Sequence, residues 1–306
     1  MRNAFADEVR AAAAADPRVV LLSGDIGNRL FDPFKKDHPD RFVNCGVAEA
    51  NMMSMAAGMA MAGLRPVVYT IVPFVTTRCL EQIRVDVCYQ NQPVVIVGVG
   101  GGLSYASLGG THHSLEDIGM LRILPGMSVL CPGDAYEVRG SLDAAFQANG
   151  PVYLRLGKKN EPLVHEQVPD VRVGRSLNMR GGSDVALLSV GNMLPIVMEA
   201  ADLLAGHGIE ARVESFLSVK PLDVECLSEV FANCRMVVTV EEHSVIGGAG
   251  SAVAEWLVGN ALGDTPLLNI GTEDRFFHAA GSQDYARQCL GLTAESIVER
   301  VRAKLP

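Results

Sequence analysis

Three stretches carry side chains whose type and setting could do chemistry. Glu49 stands near the front of "FVNCGVAEANMMSMAAGMAMAGLRPVV" (Phe42–Val68), just ahead of a run of Met, Ala and Gly from Met52 to Ala62. An exposed acid at a helix N-terminus contributes under about 1 kcal/mol through the helix dipole. Here the helix that follows is small and apolar, so its start is expected to be buried as well. A buried carboxylate needs a partner or keeps a proton. The nearest cations in sequence are Arg41 and Arg65. A functional acid and a structural one both fit that setting.

The second stretch, "GVGGGLSYASLGGTHH" (Gly98–His113), follows a strand and is rich in Gly. A nucleotide loop would look similar, but no Lys-Ser or Lys-Thr follows and no acid stands where a ribose contact needs one. The alternative is a loop at the carboxyl edge of a parallel sheet, which is where such sheets bind ligands. His112 and His113 are adjacent and so point in different directions, and no nearby His, Cys or carboxylate completes a zinc set. One is expected to be structural and the other a general acid–base group. The third stretch, "GGAGSAVAEW" (Gly247–Trp256), follows "MVVTVEEHSV". Its glycines permit a tight turn into a helix whose N-terminus takes an anion, or simply close backbone packing, and packing is the preferred reading. Glu241-Glu242-His243 reads equally well as a solvated strand end.

The elements that must position these groups follow from the pattern of the chain. Its 306 residues suit two domains, and 48% apolar with 20% charged residues is ordinary for a globular protein. A net charge of −9 with no basic run argues against nucleic-acid binding. The first residues read as an amphipathic helix ending near Asp16-Pro17; Asp7, Glu8 and Arg10 interrupt any signal-peptide core. No apolar stretch reaches membrane-spanning length. Seven scattered cysteines without a C-x-x-C point to a reduced, cytoplasmic protein, with Cys88 and Cys131 as small core residues.

Strands are expected at Val19–Leu22, Pro66–Thr70, Val94–Val99, Ser128–Cys131 and Val152–Leu156, with helices at Val47–Ala62, Phe74–Tyr89, Leu115–Leu121 and Ala135–Ala148. Beyond a polar stretch broken by Pro and Gly (Gly157–Gly182), strands recur at Val185–Val190, Ala211–Ser215, Met236–Val240 and Pro266–Asn269. Helices are expected there at Pro195–His207, Val224–Phe231, Ser251–Ala261 and Ala294–Lys304. Apolar strands alternating with helices indicate parallel sheets covered on both faces. The fold class is therefore α/β, with two tandem domains, each a largely parallel sheet flanked by helices. The domains are placed at 1–165 and 183–306, with a linker at 166–182.

Taken together, "NCGVAEANM", "LGGTHHSLEDIGMLRILPGMSVLCPGD" and "VKPLD" with "VTVEEHSVIGGAGSAVAEWL" resemble the C-terminal section of the transketolase and 1-deoxy-xylulose-5-phosphate synthase family. That section is a pyrimidine-binding domain followed by a C-terminal domain, and the resemblance covers essentially the whole chain. It implies thiamine diphosphate as cofactor. Glu49 would hydrogen-bond N1′ of the aminopyrimidine and share a proton with it, favouring the N4′ imino form that removes the thiazolium C2 proton. The small residues after Glu49 would let the helix and the cofactor approach closely. Phe74 would stack on the pyrimidine, with Ile71 and Thr77 where transketolases often carry further aromatics. Asp25 matches an acid near the thiazolium, and His112 a histidine facing substrate carbonyl and hydroxyl groups. Arg2 and Lys158 align loosely with phosphate-binding basic positions.

Two departures from the family matter. Leu108 replaces an acid that normally binds a sugar hydroxyl, which implies a smaller, less hydroxylated or differently configured substrate; Gly98-Val99-Gly100 likewise lacks a histidine found in many transketolases. The diphosphate-binding half, with its Gly-Asp-Gly…Asn segment for Mg²⁺, is absent; "SGDIGN" (Ser23–Asn28) lacks the downstream Asn and lies in the wrong domain. The resemblance therefore implies the β-type subunit of a split transketolase, transferring a two-carbon ketol unit. A separate subunit would hold Mg²⁺ and the diphosphate in an α2β2 assembly. The alternatives are an E1β subunit of a 2-oxo acid dehydrogenase, a synthase-like condensation of pyruvate with an aldehyde, and a dimerising scaffold that has lost the cofactor.

Overall fold

A computed structural model describes the whole chain except residues 28, 159–160 and 261–263. Asn28 of "SGDIGN" and the expected helix end at Ala261 lie outside the described residues. In the first half, strands form at Val19–Ser23 (β1), Phe42–Asn44 (β2), Arg65–Ile71 (β3), Val95–Val99 (β4), Ser128–Leu130 (β5) and Val152–Leu156 (β6). The second half contributes Leu177–Arg180 (β7), Val185–Val190 (β8), Ala211–Ser215 (β9), Ser218–Lys220 (β10), Met236–Ser244 (β11) and Leu267–Thr272 (β12). One sheet runs β10-β5-β6-β4-β3-β1-β2 and the other β12-β11-β8-β9-β7.

Strands β1, β4, β6 and β8 are buried along their whole length, as a parallel sheet covered on both faces requires. Helices Arg2–Ala15 and Ala135–Gln147 cover one face of the first sheet, and Glu49–Met61 covers the other. Cys88 and Cys131 are buried in that second layer, and all seven cysteines are free. Among the described residues, no helix is long and apolar enough to cross a membrane.

Two short strands depart from the sequence reading. β7 forms inside the stretch read as linker, pairing antiparallel with β9 at the edge of the second sheet. β10 leaves the second half of the chain and pairs antiparallel with β5, Ser218 opposite Leu130. The first sheet is thus completed by the other half of the chain.

The expected single helix Phe74–Tyr89 is also broken. A helical turn spans Val72–Val75, a 3₁₀ turn follows at Thr77–Cys79, and the chain continues through a short α-helical turn at Leu80–Gln82 into wide π-type turns over Ile83–Cys88. The break lies at Thr76, whose hydroxyl donates back to the Val72 carbonyl at 2.7 Å and competes with the helix ladder.

Residues just past β6 are tied down by a carboxylate pair. Asp134 caps helix Ala135–Gln147, accepting from the Tyr136 and Glu137 amides at 2.9 Å, and its other oxygen accepts from the Val164 and His165 amides. Beneath it, burial pushes Glu137 from its ordinary 4.5 up to about 7, although the Gly133 amide donates to it. Burial alone would lower His165, but its contacts to Asp134 and Glu137 raise it. Both groups hold protons in the folded state that the unfolded chain releases sooner, so stability falls as pH rises. For Glu137 the window is pH 4.5 to 7. Glu137→Gln is expected to flatten the melting temperature across that window, removing a slope of at most about 1.4 kcal/mol per pH unit.

Candidate functional site

The carboxyl ends of β1 and β3 and the start of helix Glu49–Met61 meet at one corner of the first sheet. Glu49 opens that helix and is 5% exposed. It reaches inward because Gly24 follows β1: a Cβ there would lie 3.1 Å from Thr70 Oγ1 and 3.4 Å from Glu49 Cγ. The expected burial of this acid is met, and its partner is Arg78, whose Nη1 donates to Oε1 at 3.0 Å. Ile71 ends β3 and is buried, so the turn Val72–Val75 sets Phe74 half-buried beside Glu49's partner. The Arg78 guanidinium lies over the Phe74 ring, 3.9 Å from its centroid. Cys79 in the same turn is pushed up to about 12 by burial and by the Glu49 charge, so it is no thiolate.

Asp25 sits just past β1 with φ 56°, in a region where Asp is tolerated better than most residues. Its Oδ1 accepts from Asn44 Nδ2 at 2.9 Å, which joins the ends of β1 and β2. The side chain itself is exposed at the carboxyl edge of the sheet.

His112 arrives from the loop after β4. That loop is closed at its base, where Gly102 and Ser114 exchange backbone hydrogen bonds at 3.1 and 3.0 Å. Gly102 has φ 66°, and a Cβ there would collide with Glu242 Oε1, so only glycine fits. The base rests on buried ion pairs: Asp117 accepts from Ser114 Oγ, Tyr153 OH and Arg155 Nε at 2.7–2.9 Å. Arg155 in turn donates to the Ser114 and Glu242 carbonyls, while Glu242 pairs with Arg287 and accepts from the Leu103 amide. Burial alone would raise Asp117, but Arg155 holds it below its ordinary value.

At the tip, His112 Nδ1 lies 2.9 Å from Thr111 Oγ1, and its ring stands edge-on to Phe74 at 5.2 Å between centroids. Burial lowers its pKa, and the charges of His113 and Arg78 lower it further, so the ring is neutral at pH 7. His113 is the structural member of the pair, buried with Nε2 3.2 Å from the Ala106 carbonyl.

Tyr105 in the same loop was not singled out in the sequence, yet it organises the remaining basic groups. Its ring is 6.0 Å from that of His112, and Lys158 Nζ lies 4.4 Å above it. Burial raises the Tyr105 phenol while the Arg2 charge pulls it back. Arg2 Nε is buried with no hydrogen-bond partner among the described residues. Glu49, Phe74 and His112 are thus brought together, with Ile71 behind them, Asp25 at the sheet edge and Arg2 and Lys158 around Tyr105. Leu108 is 52% exposed, in the turn Ala106–Leu108 of the loop that carries His112.

Glu241-Glu242-His243 is not a solvated strand end. All three are buried because β11 runs on to Ser244. Glu241 accepts from the Ala249 and Gly250 amides at 2.8 Å, so the chain's own carboxylate fills the helix N-terminus of the Gly-rich stretch.

The family described as "Transketolase, pyrimidine binding domain" matches residues 1–162, and "Transketolase, C-terminal domain" matches residues 174–297. An apulose-4-phosphate transketolase subunit of Actinobacillus succinogenes is 38% identical over 281 residues, covering 92% of this chain and 90% of the relative. The 6-deoxy-6-sulfo-D-fructose transketolase subunit SqwH of a Clostridium species is 36% identical over 299 residues, covering 97% and 92%. A solved structure described as a split gene transketolase, inactive beta4 tetramer, superposes with TM-score 0.89 at 36% identity, over 99% of this chain and 97% of that one.

Proposed function

The chain belongs to the transketolase family, and on that premise we propose that it is the β-type subunit of a split, thiamine-diphosphate-dependent transketolase. It moves a two-carbon ketol unit from a ketose to an aldehyde. The observation that carries this reading is the Glu49–Phe74–His112 corner, on a chain that matches proteins named as transketolase subunits over nearly its full length. That the relatives matched along nearly their whole length are named as transketolase subunits supports ketol transfer as the leading reading, ahead of the E1β and synthase alternatives. The retained corner argues against a scaffold that has lost its cofactor.

The residues present fit an aminopyrimidine. The Arg78 guanidinium lies over Phe74 while bonded to Glu49, so a flat group can stack on that ring and reach that acid at the same time. Glu49 would hold the proton at pyrimidine N1′, Phe74 would stack on the ring for roughly 0.5–1.5 kcal/mol, and Ile71 would close the wall beside it. Asp25, exposed at the sheet edge, would face the thiazolium. Thiamine diphosphate supplies, when bound, the carbanion chemistry of the transfer. His112, neutral at pH 7, exchanges a proton with the substrate carbonyl or hydroxyl, and Arg2 and Lys158 receive a substrate phosphate beside Tyr105. Leu108 offers an apolar edge where a sugar hydroxyl would otherwise find an acid.

Mg²⁺ and the diphosphate are held by a separate subunit, in an α2β2 assembly in the cytoplasm, where seven free cysteines stay reduced. The test mixes the chain with its candidate partner, thiamine diphosphate and Mg²⁺, and follows a ketose donor and an aldehyde acceptor. The expected product is the acceptor lengthened by two carbons; CO₂ released from a 2-oxo acid would move the assignment to an alternative. In the same assay His112→Ala is expected to slow turnover about a hundredfold, the lower end for loss of general acid–base catalysis. Its apparent affinity for the cofactor should change little.

A further inference from the structure

Arg78 makes, from within the chain, the two contacts assigned above to the cofactor's aminopyrimidine. Its guanidinium is flat, lies 3.9 Å from the Phe74 centroid, and donates to Glu49 Oε1 at 3.0 Å. A pyrimidine stacked on the same ring face and bonded to the same acid cannot coexist with it. The side chain has somewhere to go: it is 47% exposed and follows the break at Thr76, outside any long helix.

We propose that Arg78 is a built-in occupant of the aminopyrimidine site, satisfying Glu49 in the empty subunit and swinging out when the cofactor arrives. This rests on the reading of the corner as a thiamine site and adds a regulatory contact to it. In the empty chain Arg78 keeps a buried carboxylate paired, which an unpaired acid in that position would not tolerate. The same contact competes with the ligand, so cofactor affinity is reduced by the work of displacing it. No bond between heavy atoms is made or broken: a cationic donor leaves Glu49, and the proton that Glu49 then shares with the ring nitrogen is taken from water.

The test uses the chain mixed with its partner and Mg²⁺, as wild type, Arg78→Ala and Arg78→Lys. Equilibrium dialysis gives the thiamine diphosphate dissociation constant, and thermal unfolding of the empty proteins gives a second readout. Arg78→Ala is expected to bind roughly three- to tenfold tighter, from the combined loss of a half-exposed ion pair and a cation–π contact. Without cofactor it should melt lower than wild type, and that gap should close on saturation. Arg78→Lys, charged but not flat, should fall between. Binding by Arg78→Ala that is unchanged or weaker, in a protein that still melts cooperatively, would overturn the proposal and make Arg78 a clamp. If neither wild type nor variant binds the cofactor, the thiamine reading itself falls and the proposal falls with it.

Discussion

Glu49→Gln is expected to lower turnover of the reconstituted enzyme on the order of a thousandfold while the chain stays folded. The carboxylate is 5% exposed, at the start of a helix, beside the Phe74 ring and within hydrogen-bond reach of one cation. A glutamine fills nearly the same volume and still accepts from Arg78, but it cannot hold and return a proton. The fold has little at stake, because the ion pair it weakens involves a half-exposed arginine and is worth under about 1 kcal/mol. Steady-state turnover with saturating cofactor, beside thermal melting of the same preparation, checks both halves of the statement. Near-normal turnover would remove Glu49 from the chemistry and revive the scaffold reading.

Asp117→Ala is expected to cost about 3–5 kcal/mol, the usual penalty for leaving a buried charge without its partner. Arg155, the charge left behind, is as deeply buried as Asp117, with both side chains no more than 2% exposed. Asp117 also receives Ser114 Oγ and the Tyr153 hydroxyl, so the substitution strands two further donors. The loss is functional as well as structural, since this cluster holds the base of the loop that carries His112. Denaturant unfolding at pH 7 reads the first effect. Activity that declines at temperatures below global melting reads the second. Replacing Asp117 and Arg155 together by apolar residues should cost less than the two single changes summed, because no lone charge then remains.

What could be read from the sequence follows from how local each signal is. Strands β1, β4, β6 and β8 were legible because continuous apolar runs bounded by turns have few other uses in a chain of this composition. β2, β7 and β10 are short or partly exposed, and β10 is a strand only because the other half of the chain offers it an edge. The break after Phe74 depends on one threonine hydroxyl turning back to a carbonyl, which no apolar period reveals. Glu241-Glu242-His243 reads as polar and hence exposed, yet amides and cations from distant segments satisfy the acids inside the protein.

The site divides the same way. Glu49, Phe74 and His112 stand out by residue type and surroundings, and the family resemblance supplies their roles. Arg78 and Tyr105 do not stand out in the sequence because their contacts are tertiary: Arg78 meets Glu49 across 29 positions, and Lys158 lies over the Tyr105 ring from the far end of the first half.

Everything proposed for this chain depends on its carrying only half of a thiamine diphosphate site. Calorimetric titration of thiamine diphosphate with Mg²⁺, into the chain alone and into the chain mixed with its candidate partner, tests that most directly. Tight binding in the mixture and little or none to the chain alone is the predicted result. Equally tight binding to the chain alone would contradict it.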